Sequence, residues 1–182
     1  MMLGWLYHRM IGRLERRYGY DATYLHELTD AAPSAFRRFG RMQMAGKWQG
    51  PLPRNAWHAA SIAGALHEDC GPCVQIATDM ALAAGVAPES IADLLSGDTA
   101  DAEMKVAFDY SRALLSADPA LDGLRHAAKE QWGEVGVIAL SMTAMTARNY
   151  PVLKRAMGHA KACQRVRVGG DQIVVAEALK TA

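Results

Sequence analysis

Leu3, Leu6, Met10 and Leu14 recur at helical spacing across the first eighteen residues, with Arg9, Arg13, Arg16 and Arg17 around them. That pattern predicts an amphipathic helix with a basic face. Trp5 and Tyr7 would suit a membrane-surface anchor, but one basic helix packs more often on a core or a second subunit, and that reading is preferred. Asp21 can cap a short helix to Leu28, and Pro33-Ser34 opens another to about Ala45. Gly46 and the Gly50-Pro51-Leu52-Pro53 stretch then break the pattern. The sequence therefore divides into an N-terminal helical extension over 1–53, a helical domain over 54–160 and a tail over 161–182.

The domain pattern is helical throughout. Arg54 to Leu66 is alanine-rich, with Trp57, Ile62, Ala65 and Leu66 on one face, and Val74 to Ala84 follows. Gly85 is placed to end that helix, Pro88 to begin the next and Gly97 to close it. Asp101 starts a long helix carrying Val106, Phe108, Tyr110, Leu114 and Leu115. Pro119 begins a helix that should end near Trp132 and Gly133. Val135 to Ala147 is apolar nearly all round, which predicts a buried central helix, with Val152 to Met157 continuing after Pro151. Only the tail changes period: Val166-Arg167-Val168, Gly169-Gly170-Asp171 and Ile173-Val174-Val175 predict a short hairpin or an extended arm. With no strand–helix alternation, the fold class is all-α.

Composition narrows the function classes. Hydrophobic residues at 51% and charged residues at 21% of 182 describe one globular chain with a sizeable core. A formal net charge of +1 argues against nucleic-acid binding. Three cysteines make a poor disulfide framework, so the chain reads as cytoplasmic with reduced thiols. No apolar run reaches about 18 residues, and Arg9 and Arg13 interrupt any secretory signal.

The candidate chemistry lies in Leu66-His67-Glu68-Asp69-Cys70-Gly71-Pro72-Cys73-Val74. Two cysteines at a helix start can close a disulfide ring, and the free amides there favour a thiolate. Cys-Gly-Pro-Cys is also the thioredoxin tetrapeptide, but the residues before Cys70 have helix composition rather than the strand that fold requires. A zinc site from His58, His67, Cys70 and Cys73 and a chemically idle pair are the alternatives. Gln75 and Asp79 read as polar surface, and Cys163 as an isolated thiol.

The stretch from Asn55 to Leu95, with its Cys-x-x-Cys, Asp79 to Val86 and Pro88 to Ile91, resembles the carboxymuconolactone decarboxylase family, which includes the alkylhydroperoxidase D-like (AhpD-like) proteins. Ala107 to Leu114 and Asn149 to Gly158 extend the resemblance to about Gly158. It implies an all-helical AhpD-like bundle that assembles as a homo-oligomer. For the AhpD-like branch it implies peroxide reduction through a Cys70–Cys73 disulfide; an external dithiol protein or cofactor is the expected reductant, and no bound cofactor or metal is expected. That branch places a relay glutamate twelve residues before the first cysteine and a relay histidine four after the second. Here those positions hold His58 and Ala77. His58, His67 and Glu68 are the candidate replacements, although His67 and Glu68 also read as solvated residues before the helix start. A redox-sensing or small-molecule-binding member without turnover is the second function, and a lactone decarboxylase the third, disfavoured because that branch need not carry the cysteine pair.

Overall fold

The computed structural model describes residues 2–159, 165–176 and 179. The chain forms α1 (Met2–Tyr18), α2 (Thr23–Ala31), α3 (Pro33–Gln43), a 3-10 turn (Ala45–Lys47), α4 (Arg54–His67), α5 (Gly71–Ala83), α6 (Pro88–Ser96), α7 (Ala102–Ser116), α8 (Leu121–Ala147) and α9 (Asn149–Ala156). An antiparallel hairpin, β1 (Arg165–Val168) and β2 (Asp171–Val174), follows. The fold is all-α apart from this hairpin. Cys163 lies outside the described residues.

Local signals set most helix ends. Gly85 and Gly97 follow α5 and α6 with positive φ, and the Asp101 side chain accepts the Met104 amide at 3.0 Å to start α7. Asp21 sits one residue ahead of the α2 N-cap, which is Ala22, yet its carboxylate still takes the Thr23 amide at 3.1 Å. Gly133, at φ 68, breaks α8 into two helical stretches where the sequence expects an end.

The central helix is α4. Ala56, Ala59, Ala60, Ile62, Ala63, Gly64, Ala65 and Leu66 are all buried, between α5, α7 and α8. Small side chains let the neighbours approach on every side. At Gly64 a β-carbon would lie 2.6 Å from the Ala144 carbonyl oxygen and 2.8 Å from the Ala147 β-carbon. The expected buried helix, residues 135–147, is instead covered on one side only. Ala139, Leu140 and Ala144 face the core, while Val135, Ile138 and Met145 are 50%, 46% and 56% exposed.

The N-terminal helices build a second apolar cluster from Ile11, Tyr20, Ala22, Tyr24, Leu25 and Phe36. Ile76, Tyr150, Leu153 and Met157 pack against it and so join it to α5 and α9. The packed stripe of α1 is Tyr7, Ile11, Leu14 and Tyr18; Leu6 and Met10, expected to face inward, are exposed beside Trp5. On that stripe Tyr7 packs its ring against Phe36 of α3, with centroids 4.8 Å apart.

Helix propensity and packing oppose each other at Gly64. Gly64→Ala should gain at most about 1 kcal/mol of helix propensity and lose about 1–3 kcal/mol to overpacking. Gly40→Ala, with nothing within 4 Å of the added carbon, should show only the gain. Denaturant unfolding of the two variants checks the opposite signs.

Candidate thiol site

Cys70 is the N-cap of α5 and Cys73 lies in its first turn, with the Cys73 and Val74 amides both donating to the Cys70 carbonyl at 2.9 Å. Pro72 fits because a first-turn amide needs no helical partner. The two cysteines are joined as a disulfide with a Cα–Cα distance of 5.2 Å. They are only 1% and 3% exposed, while Gly71 and Pro72 between them are half-buried.

A short turn aims the pair. Asp69 adopts φ 47, a left-handed conformation in which aspartate is among the better tolerated residues, and its amide donates to the Leu66 carbonyl at 3.0 Å. Glu68 locks this turn from inside. Its carboxylate accepts from Arg148 Nε at 2.7 Å and Arg155 Nη2 at 2.9 Å, and Arg155 Nη2 also donates to the Glu68 carbonyl at 2.6 Å. The expectation of a solvated Glu68 is thereby corrected, since its side chain is 6% exposed. Desolvating a carboxylate is costly, and two guanidiniums arriving from the α8–α9 junction make the burial tolerable. Both oxygens of the carboxylate are thus engaged by guanidiniums.

His67 is half-buried, with Nδ1 shielded and unpartnered. Burial first, then the Arg148 guanidinium, lowers its pKa, so the neutral ring prevails near pH 7. His58 is buried on α4, edge-on to Trp57 with ring centroids 4.7 Å apart. Burial and, secondarily, Arg54 push its pKa down to about 4. Both histidines are thus neutral near pH 7, and the position of the relay histidine, Ala77, is a buried methyl on α5.

The group that does reach a sulfur is one that sequence reading passes over. Tyr20 Oη lies 3.8 Å from Cys73 Sγ and donates to Tyr24 Oη at 3.3 Å. Burial pushes the Tyr20 hydroxyl up to about 12, and the fully buried Tyr24 is raised further. Lys154, itself buried, donates to the Asp21 carbonyl at 2.9 Å and sits 4.5 Å from the Tyr20 ring centroid and 5.3 Å from that of Tyr24. The available signal was the pair of tyrosines spaced i, i+4 across the α1–α2 turn, which carries no indication of its partner.

Gln75 is also more than surface. Its amide oxygen accepts the Arg167 amide at 2.8 Å and its nitrogen donates to the Arg167 carbonyl at 2.9 Å. One side chain thereby docks the hairpin on the helix that carries the pair, and Asp79 holds the same nitrogen at 2.9 Å. Among the described residues, no group of three or more His, Cys, Asp or Glu side chains is arranged to hold a metal ion, and no helix is long and apolar enough to cross a membrane.

Residues 33–117 match the defining sequence pattern of the carboxymuconolactone decarboxylase family. The match starts at α3, inside the segment set apart as the extension, and ends just after α7. No curated protein and no solved structure matches the chain.

His58 makes stability pH-dependent. Its folded pKa lies below the unfolded value of about 6.5, so between these two values the unfolded chain binds the extra proton. Stability should therefore fall from pH 6.5 towards pH 4, by up to about 3 kcal/mol from this group. His58→Gln should flatten that part of the profile, as read by denaturant unfolding at pH 7 and pH 4.5.

Proposed function

We propose, from the membership of residues 33–117 in the carboxymuconolactone decarboxylase family, that the chain is a thiol-dependent oxidoreductase that reduces peroxides with Cys70 and Cys73. The observation that carries the reading is the buried Cys70–Cys73 disulfide at the start of α5. A pair at disulfide distance is compatible with cycling between dithiol and disulfide, and the helix N-terminus favours the thiolate form that reacts.

The reaction balances with an external dithiol. One thiolate attacks a peroxide oxygen, the O–O bond breaks, and the departing alkoxide takes a proton to leave as an alcohol. The attacking sulfur is now a sulfenic acid. The second thiolate displaces its hydroxyl, which leaves as water after protonation, and the disulfide forms. A thiolate of the reductant then attacks this disulfide, passes through a mixed disulfide and restores both cysteines. The net change converts peroxide and dithiol to alcohol, water and the reductant's disulfide. Gly71 and Pro72, the partly exposed residues between the sulfurs, form the side from which the dithiol approaches. A reduced, cytoplasmic setting suits this cycle.

Assembly belongs to the same proposal. Val135, Ile138 and Met145, with half-buried Met142, form a three-four-three seam on the outer face of α8, the spacing with which helices pair. A second copy meeting this seam gives the homo-oligomer. Ile138→Glu should reduce the mass measured by light scattering to that of a monomer, whereas a wild-type chain that is already monomeric at micromolar concentration refutes the assembly.

Cys70→Ser and Cys73→Ser should each abolish dithiol-dependent peroxide consumption. The reduced wild-type chain should lose two hydrogens, by intact mass, after one equivalent of peroxide. Full turnover in either variant refutes the mechanism. Reversible disulfide formation without turnover assigns the pair to redox sensing, and lactone decarboxylation that survives both substitutions assigns the chain to the decarboxylase branch.

A further inference from the structure

We infer that Tyr20, carried in by the N-terminal helices, is a catalytic residue of the thiol site: its hydroxyl donates the hydrogen bond that stabilises the Cys73 thiolate. This deepens the dithiol–disulfide reading of Cys70 and Cys73 and rests on it.

Three features of the geometry support the assignment. Tyr20 Oη is a side-chain hydroxyl within reach of Cys73 Sγ, at 3.8 Å, and both groups are buried, so water does not compete. Burial also holds the phenol in its protonated form, with a pKa of about 12, so near neutral pH it keeps the hydrogen it can donate to a thiolate and does not take the thiol's proton. Third, the hydroxyl has a second place to point. It carries one hydrogen and can rotate. In the disulfide, whose sulfur is a weak acceptor, Tyr20 donates to Tyr24 at 3.3 Å. When Cys73 becomes a thiolate, its sulfur is the strongest acceptor in contact, and a hydrogen bond to a charged group outweighs one between two hydroxyls. The Tyr20 hydrogen turns to the sulfur, and the Tyr24 hydroxyl donates to Tyr20 in its place. No proton changes owner in this exchange, so it needs no co-reactant.

Lys154 is the positioning residue. Its ammonium lies against the faces of both tyrosine rings and holds the carbonyl of Asp21, the residue that follows Tyr20. Since Lys154 belongs to α9, the hydroxyl is fixed between two elements remote from each other in sequence. The extension is thereby a component of the site rather than a cover over it.

The test reads thiol ionisation and needs no peroxide. The full chain, fully reduced, is alkylated with iodoacetamide across pH 5–10, and modification of Cys73 and Cys70 is resolved by peptide mass. Tyr20→Phe should raise the pH midpoint of Cys73 by about one unit and slow its alkylation at pH 7 roughly tenfold, with a smaller change at Cys70. Tyr24→Phe, which keeps the Tyr20 contact, should move Cys73 in the same direction by less. A merely structural role for Tyr20 would lower stability without moving the Cys73 midpoint. An unchanged Cys73 midpoint in folded Tyr20→Phe overturns the inference, as does an unchanged midpoint in Tyr24→Phe if the first variant does not fold. Because peroxide is absent, a chain that fails to turn over peroxide yet shows the shift refutes only the peroxidase reading. One that turns over peroxide without the shift refutes only the role of Tyr20.

Discussion

Glu68 buries a carboxylate two residues before Cys70, and the geometry of the thiol site depends on what meets it. Arg148 and Arg155 arrive from 80 and 87 residues further along the chain and close on its two oxygens. The arrangement is asymmetric: the carboxylate is 6% exposed, whereas the guanidiniums retain 37% and 53% of their surface. Most of the desolvation cost therefore falls on one partner, which two cations then share. Such a pair adds little net stability against an apolar alternative, because burial costs and Coulomb gains nearly cancel. What it adds is position. It fixes the turn at Asp69 against the α8–α9 junction, and with it the direction in which Cys70 starts α5.

A third cation, beside Arg155 on α9, does comparable work. Lys154 enters the aromatic cluster of the extension and takes the Asp21 carbonyl there. The helix α9 thus touches both sides of the thiol pair, through Arg155 on the turn before Cys70 and through Lys154 on the ring of Tyr20, which reaches Cys73. The spacing of these two neighbours on α9 sends them to opposite tasks, one to a carboxylate and one to aromatic faces. A guanidinium suits the first because it donates to a backbone carbonyl and a carboxylate at once, and a compact ammonium suits the second.

Much of the fold could be read locally. The ends at Gly85, Gly97 and Asp101, the break at Gly133, the tail hairpin and the placement of Cys70 and Cys73 at a helix start each rest on signals spanning a few residues. The site was less legible. Tyr20 meets Cys73 across 53 residues, and a tyrosine beside a turn gives no hint of a sulfur so far along the chain. Glu68 read as solvent-facing because its two arginines are invisible to any window around it. The same limit explains α1 and the second half of α8. Periodicity shows that a helix has an apolar stripe, but not which side its neighbours cover. In α1 the aromatic-lined contact took Ile11 instead of Leu6 and Met10, and in α8 Val135, Ile138 and Met145 were left outside.

His58 and Ala77, at the positions where the resemblance leads one to expect a relay, are consistent with one another in physical terms. A relay of glutamate and histidine works because its members titrate near the working pH and can pass a proton. Here His58 is held neutral to about pH 4, and position 77 offers only a methyl. A phenol at about 12 beside Cys73 does not titrate in that range either. Neither His58 nor the Tyr20 phenol relays a proton near neutral pH. The helix N-terminus lowers the thiol pKa, while burial of both sulfurs raises it. A hydroxyl that turns towards the sulfur as charge develops tips that balance towards the thiolate, and the buried Lys154 ammonium, set against the ring that carries it, favours the same form.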